Sequence, residues 1–247
     1  MKKAGRKRLD ILLVERGLAE TRQKATSMIL AGEVSVENKR VDKAGAATPE
    51  NARIDVNSRL QKYASRGGLK LEGALADLQI QVAGKVCLDL GSSTGGFTDC
   101  LLQHGASRVF AVDVSIDQLA WKLQQDPRVT RIERNARELR PNDISEPADF
   151  VVADLSFISV AKVLPAAVAA ARAGAEFLIL VKPQFELRRE DVGPGGIVRE
   201  KELHVRATES VRRAAEAFGL QILGLQPSRL TGAEGNQEFF LHARKTA

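Results

Sequence analysis

Cysteine and aromatic residues are scarce in this 247-residue sequence. Its two cysteines, Cys87 and Cys100, lie in apolar segments, which excludes a disulfide framework and predicts two buried thiols. Aromatic residues make up 4 % of the chain although 44 % of it is hydrophobic, so we expect a core of leucine, valine, isoleucine and alanine.

Long hydrophobic runs are also missing. No secretory hydrophobic region follows the basic first eight residues, and no apolar run reaches the roughly 18 residues that a membrane helix needs. We therefore expect a cytoplasmic protein with no membrane partner. The length suits one large and one small domain. The net charge of +6 suggests an anionic partner such as nucleic acid, although a mildly basic protein without one has the same composition.

Residues 86–97, VCLDLGSSTGGF, join an apolar run to a glycine-rich turn and the start of a helix. This is the nucleotide-binding opening of a doubly wound α/β sheet. Ser93 replaces the second glycine of a dinucleotide fingerprint, and Phe97 stands where a phosphate-binding loop has lysine. The turn therefore suits a nucleoside-like ligand without a phosphate chain, and S-adenosylmethionine fits. Incidental glycines in an ordinary α/β turn are the alternative.

Asp113 supports the same site. It ends a predicted strand, residues 108–113, at 22 residues after Gly91, where such folds place the carboxylate that binds ribose hydroxyls. Asn135 follows a third strand, residues 129–133, at a position suited to an adenine edge. Helices are predicted over residues 117–125 and 160–173, and an irregular loop over 185–199. The residues predicted to contact the cofactor are Asp89, Gly91, Ser92, Ser93, Thr94, Gly95, Gly96, Phe97, Asp113, Val114, Asn135 and Asp154.

The first 60 residues carry thirteen Lys/Arg and eight Asp/Glu, which is nearly all of the net charge. Apolar spacing predicts a helix from Leu9 to near Gly17, a second helix over residues 22–31 capped by Thr21, and short strands near residues 34–36 and 54–56. Such a basic module suits docking on structured RNA; a capping domain without a ligand is the alternative. The residues predicted to bind RNA are Arg6, Lys7, Arg8, Arg22, Lys24, Lys39 and Arg66.

Four further residues form a candidate catalytic set. Lys70 lies in the first turn of a helix starting near residue 67, Asp154 and Lys182 end strands, and Glu238 opens the last strand. Together they suit methyl transfer to a ribose 2′-hydroxyl, because a lysine crowded by a second cation can act as general base while carboxylates orient it. Base-carbon methylation would need a cysteine at a strand end, and amino methylation usually shows two prolines after Asp154; neither is present.

The first 60 residues resemble the alpha-L RNA-binding module, and the chain as a whole resembles the TlyA (hemolysin A) family, whose catalytic domain is similar to FtsJ-type ribose methyltransferases. The matching segments are residues 65–71, 89–99, 111–114, 118–119, 154–159, 181–186, 195–198 and 235–239. The resemblance implies S-adenosylmethionine-dependent 2′-O-methylation of cytidine in ribosomal RNA by a Lys70, Asp154, Lys182 and Glu238 tetrad. Ser115 departs from the glycine that is usual there and could crowd the adenosine.

The expected fold is therefore α/β: a small α+β RNA-binding domain at residues 1–60, a linker at 61–66 and a Rossmann-like methyltransferase domain at 67–247. The expected partner is ribosomal RNA or a ribosomal subunit; we expect no metal and favour a monomer. The alternatives are a non-catalytic ribosome-assembly factor, which would not need the four charged residues, and a cytolysin, which would need a spanning helix or long alternating strands.

Overall fold

The computed structural model describes residues 5–19, 21–37, 39–56, 62–232 and 234–246. The chain divides into two compact units, residues 1–62 and 63–247. Residues 57–61, which contain the start of the predicted linker, lie outside the described part. Across the described ranges, no helix combines the length and the apolar character that crossing a membrane requires.

The smaller unit contains both predicted helices and two small sheets. Its elements are β1 (Arg6–Arg8), α1 (Leu9–Glu15), α2 (Arg22–Leu30), β2 (Val34–Val36), β3 (Lys39–Arg40), β4 (Ala47–Pro49) and β5 (Ile54–Val56). Thr21 caps α2 by accepting a hydrogen bond from the Lys24 amide at 3.1 Å, as predicted. The antiparallel β1–β4 pair was not predicted, because β1 is a run of three basic residues with no apolar alternation.

The larger unit is a single seven-stranded sheet with its helices. Its elements are α3 (Arg66–Asp77), β6 (Val86–Leu90), α4 (Gly96–Gln103), β7 (Arg108–Asp113), α5 (Trp121–Gln124), β8 (Val129–Glu133), β9 (Ala148–Ala153), α6 (Leu164–Ala170), β10 (Ala171–Val181), α7 (Pro183–Glu186), α8 (Lys201–Ala217), β11 (Leu220–Pro227) and β12 (Phe239–Lys245). Apolar side chains on both faces of the central strands form the core, since these strands are covered on both sides.

The strand order β11-β12-β10-β9-β6-β7-β8 places β6 and β9 side by side at the centre. Strands β6 to β10 are parallel, and β12 runs antiparallel to both β10 and β11. From β6 the chain winds outward to β7 and β8, and then returns to β9 and winds the other way. The carboxyl ends of β6 and β9 therefore flank a topological switch point, where open α/β sheets bind their ligands.

Two predicted helices are wrong in extent. Residues 117–125 form a 3₁₀ turn (Ile116–Gln118) and the short α5, which are separated by two extended residues, Leu119 and Ala120. The Ala120 amide donates a hydrogen bond to the Thr94 carbonyl at 3.1 Å. Residues 160–173 form a 3₁₀ turn (Val160–Lys162) and α6, and residues 171–173 already belong to β10. Alanine favours helix locally, but pairing of β10 with β9 overrides that preference.

The predicted irregular loop, residues 185–199, contains more order than expected. It includes the end of α7 and two 3₁₀ turns, Arg189–Asp191 and Pro194–Gly196. The buried Asn236 side chain holds it, donating to the Gly196 carbonyl at 2.8 Å and accepting from the Val198 amide at 2.9 Å. A side chain distant in sequence thus fixes this loop.

Candidate active site

The glycine-rich turn after β6 brings backbone very close to the end of β9. Gly91 has a φ of +83°, and a Cβ at this position would lie 2.6 Å from the Asp154 carbonyl oxygen, so only glycine fits without a shift. Ser93 also has a positive φ, +47°, and its amide donates to Asp113 Oδ2 at 2.9 Å. The Ser115 amide donates to Asp113 Oδ1 at 2.9 Å. These two bonds fix the Asp113 carboxylate beside the turn.

Two polar side chains, one in β6 and one in the turn after it, are buried with unsatisfied atoms. Asp89 is 0 % exposed, and its Oδ2 accepts a 2.6 Å hydrogen bond from Thr98 Oγ1. Burial raises the pKa of Asp89 to about 7, although the hydrogen bond from Thr98 acts in the opposite direction. Asp89 Oδ1 and the buried Ser92 Oγ have no hydrogen-bond partner among the described residues. Ser92 lines the cavity described next, although its hydroxyl oxygen is itself buried.

Two adjoining cavities lie at the carboxyl ends of the strands. The first, of about 240 Å³, is bounded by the glycine-rich turn, the start of α3 and the ends of β9 and β10. The second, of about 640 Å³, extends from the turn past Asp113 and Asn135 to residues 154–163. Gly91, Ser93 and Asp154 line both, so a ligand could extend from one into the other.

The four predicted catalytic residues form two lysine–carboxylate pairs. Lys70 Nζ lies 2.5 Å from Oε2 of Glu238, whose side chain is only 2 % exposed. Lys182 Nζ lies 2.6 Å from Asp154 Oδ1 and donates to Ser156 Oγ at 2.9 Å. These side chains come from α3, the residue before β12, and the ends of β9 and β10. Lys70, Asp154 and Lys182 line the first cavity, so the fold brings the two pairs to one place.

An exposed aromatic ring lies beside these pairs. Phe157 is 91 % exposed and has a φ of +65°, which is rare for a bulky residue. Its ring lies 5.2 Å from that of Phe185, measured between centroids, and Lys182 Nζ lies 6.0 Å from the Phe185 ring centroid. Phe157 also lines the second cavity. The loop after β9 thus presents an aromatic face to solvent next to the lysine–carboxylate pairs.

Most of the predicted cofactor residues line the cavities. The lining residues are Gly91, Ser92, Ser93, Thr94, Gly96, Phe97, Asp113, Val114, Asn135 and Asp154. Asp89 lies buried behind the turn, and Gly95 lies against Leu119 and Leu123, where a Cβ would collide with both. Asn135 Oδ1 also accepts from the Arg137 amide at 3.1 Å. Ser115, with a φ of −132°, lines neither cavity, so its Cβ is accommodated.

The predicted RNA-binding residues fall into three groups. Arg8 and Arg22 both bind the buried Asp10, Arg8 through two 3.0 Å hydrogen bonds and Arg22 through one of 2.8 Å. Arg6 donates to the Ala47 carbonyl and Lys7 pairs with Glu15, whereas Lys24 and Lys39 are exposed. Arg66 belongs to the larger unit and lines the first cavity. The part of Arg8 and Arg22 that stays exposed remains a cationic surface of the smaller unit.

Sequence reasoning missed several lining residues. Ser156 and Phe157 lie in the segment that follows Asp154, and Thr231 lies in the loop before Glu238. Lys162 and Arg134 also line the second cavity, and Arg134 is paired with Asp143 at 3.0 Å. The DLSF segment at residues 154–157 was the available signal, but nothing in a hydroxyl or an aromatic residue by itself indicates a contact to a lysine on another strand.

A seven-stranded sheet with an antiparallel last strand, a glycine-rich turn after β6 and an acid at the end of β7 define the class of Rossmann-like methyltransferases. Residues 63–245 match the model of the FtsJ-like methyltransferase family, and residues 7–53 match the S4 domain. The chain belongs to the FtsJ-like methyltransferase family.

Similar proteins agree with this assignment. The chain is 47 % identical to the 16S/23S rRNA (cytidine-2′-O)-methyltransferase TlyA of Mycobacterium tuberculosis, over 98 % of this chain and 91 % of that protein. A solved structure of a protein from Streptococcus thermophilus that is named for a supposed hemolysin activity is 41 % identical with a TM-score of 0.77, covering 98 % of this chain and 90 % of that one. An S-adenosylmethionine-dependent methyltransferase from Mesorhizobium loti, 18 % identical with a TM-score of 0.54, covers 70 % and 96 % and shares the fold.

Proposed function

We propose that this protein transfers a methyl group from S-adenosylmethionine to the 2′-oxygen of a cytidine in ribosomal RNA. The observation that carries the proposal is the convergence of the Lys70–Glu238 and Lys182–Asp154 pairs at a cavity that adjoins a second, larger one. The Mycobacterium tuberculosis relative is named for the same reaction.

The residues present fit the cofactor. Asp113, whose carboxylate is fixed by two backbone amides but keeps acceptor capacity, would bind the ribose hydroxyls in the second cavity. Ser92, with its buried and unsatisfied hydroxyl, would bind the polar end of the methionine moiety in the first. When bound, S-adenosylmethionine supplies a sulfonium methyl that is already activated, so the protein mainly orients the acceptor oxygen in line with it.

Lys182 is the proposed general base. In its neutral form its Nζ would accept the 2′-hydroxyl proton as the acceptor oxygen takes the methyl group. Asp154 and Ser156 then hold the resulting ammonium. Lys70, held at 2.5 Å by the buried Glu238 carboxylate, has the proposed role of stabilising negative charge on the acceptor oxygen.

RNA capture is assigned to the basic surface of the smaller unit and to groups around the cavities. Phosphates supply most of the affinity for such surfaces, and unpaired bases stack on aromatic rings. Arg66 at the first cavity suits a phosphate, and the exposed Phe157 ring suits a base next to the target nucleotide.

The test is a transfer assay. The purified full-length chain is incubated with methyl-labelled S-adenosylmethionine and unmodified ribosomal subunits, and the modified nucleoside is identified by mass spectrometry. We expect 2′-O-methylcytidine with the wild type, near-complete loss in Lys182→Ala, and wild-type transfer in the exposed control Lys201→Ala. Equal transfer by Lys182→Ala, or a product methylated on the base, would refute the assignment.

Two further measurements, subunit binding and erythrocyte lysis, separate the alternatives. Tight subunit binding without any label transfer would identify an assembly factor. Lysis of erythrocytes by the pure protein, unchanged in Lys182→Ala, would support the cytolysin that the hemolysin name suggests. The four paired charges favour the enzyme, since neither alternative requires them.

A further inference from the structure

A second bridge joins the loops that follow β9 and β10. Glu186, the last residue of α7, accepts hydrogen bonds from Ser159 Oγ at 2.6 Å and from the Val160 amide at 2.8 Å. Val160 begins a 3₁₀ turn, so the carboxylate caps its first amide. Glu186 lines neither cavity of the active site and therefore acts through other residues.

This bridge closes a ring of contacts with the proposed base. Lys182 directly precedes α7, which is one short turn held by the Phe185 amide donating to the Lys182 carbonyl at 2.9 Å. At its β9 end the facing loop contacts Lys182 through Asp154 and Ser156. At its other end it contacts Glu186. The two loops are thus joined both beside the first cavity and behind it.

The loop between these two attachments is strained. Phe157 holds a left-handed backbone conformation that bulky residues rarely adopt, and its side chain is almost fully exposed, so burial of its own ring does little to fix it. Strain of this kind persists only where the surroundings enforce it. The described contacts that hold the loop are the buried Leu155 side chain, the Lys182 bonds, the Phe185 ring and the Glu186 bridge.

We infer that Glu186 is a positioning residue for methyl transfer: it holds loop 154–159 against α7, so that Asp154 and Ser156 stay on Lys182 and Phe157 stays beside Phe185. The inference rests on the proposed function, because it concerns the same base and the same RNA-facing loop. Without the bridge, the loop relaxes, Lys182 loses its fixed orientation and the exposed ring moves away from the substrate.

Three variants test the role. Glu186→Ala removes both hydrogen bonds, and we expect kcat at saturating cofactor and RNA to fall by about tenfold or more, with a severalfold rise in KM for RNA. Glu186→Gln keeps the shape, an acceptor for the Val160 amide and a donor for Ser159, and should stay within about threefold of wild type. Glu190→Ala, an exposed acid on the same segment, is the matched control and should not change either constant.

Wild-type kcat in Glu186→Ala, or an equal loss in Glu186→Gln, would overturn the inference, since only the alanine variant breaks the bridge. If Glu186→Ala fails to fold, Ser159→Ala replaces it; that variant removes one of the two bonds of the bridge together with the Ser159 cap on the Ala161 amide. It should lose severalfold in kcat, and unchanged kcat there would again overturn the inference.

Hydrogen exchange gives a readout that does not depend on catalysis. In the full-length protein without ligands, amides of residues 154–163 should exchange about tenfold faster in Glu186→Ala than in wild type, Glu186→Gln or Glu190→Ala. Unchanged exchange would refute the bridge. If wild type transfers no methyl group but exchange responds as expected, the proposed function fails while the bridging role of Glu186 stands.

Discussion

Asp89→Asn should make the larger unit more stable at neutral pH and remove a large part of its pH dependence. Burial raises the pKa of this carboxyl from an ordinary 3.8 to about 7, so the folded state retains a proton that the unfolded chain releases. Since the folded state then binds more protons, the free energy of unfolding falls as the pH rises from about 4 to about 7. Above that range the carboxylate is charged in both states and the loss is complete.

The magnitude follows from the two pKa values. At about 1.36 kcal/mol for each pKa unit, the rise corresponds to about 4 kcal/mol, of which about 3 kcal/mol develops between about pH 4.5 and about pH 8. Asparagine is neutral throughout and its Oδ1 can still accept from Thr98 Oγ1, so the variant avoids this pH-dependent cost and keeps the hydrogen bond. Its Nδ2 donors, placed where Asp89 Oδ1 has no described partner, subtract from the gain by an amount that does not vary with pH.

The assay is urea unfolding at a series of pH values, followed by far-ultraviolet circular dichroism. The larger unit supplies most of the described helices and strands, so the signal is dominated by the unit that contains Asp89. Asp117→Asn, the same change at a side chain that is 96 % exposed, is the control and should follow the wild-type curve. Parallel curves for wild type and Asp89→Asn would show that the buried carboxyl does not titrate in this range, contrary to the burial argument.

Three further predictions concern the turn, the smaller unit and the exposed ring. Gly91→Ala should cost about 1–3 kcal/mol of stability and weaken cofactor binding measured by calorimetry. The control Gly84→Ala has a similar positive φ but no described atom within 4 Å of its Cβ, so it should show only the smaller backbone penalty. Arg8 and Arg22 lower the pKa of Asp10 to about 2, so the stability that their ion pairs give the smaller unit is complete above about pH 4 and is lost as the pH falls towards 2. Asp10→Asn should therefore speed amide hydrogen exchange in residues 5–19 at neutral pH but not at about pH 2. Phe157→Ala should leave the unfolding free energy within about 0.5 kcal/mol but weaken RNA binding by about 1–3 kcal/mol in a filter-binding assay, and unchanged RNA affinity would exclude base stacking.

Much of the fold was predictable because local patterns and tertiary contacts agree in the central strands. The apolar runs at β6 and β7, the positive-φ glycine after β6 and the acid at the end of β7 each satisfy a local rule, and the sheet uses all three. The short β1 and the break before α5 were not predictable, since β1 gains its stability from its partner strand and the Ala120 amide is fixed by a hydrogen bond to Thr94. Those partners are far apart in sequence.

The candidate site divides in the same way. The sequence by itself determined the glycine-rich turn, the placement of Asp113 and the presence of two lysines and two carboxylates, because strand ends and glycine positions leave a readable pattern. Only the tertiary structure decided which lysine pairs with which carboxylate, that Ser156 contacts Lys182, and that Glu186 bridges to Ser159. The reason is that these contacts join residues 26 to 168 positions apart, and their distances depend on the order of strands in the sheet rather than on any local pattern.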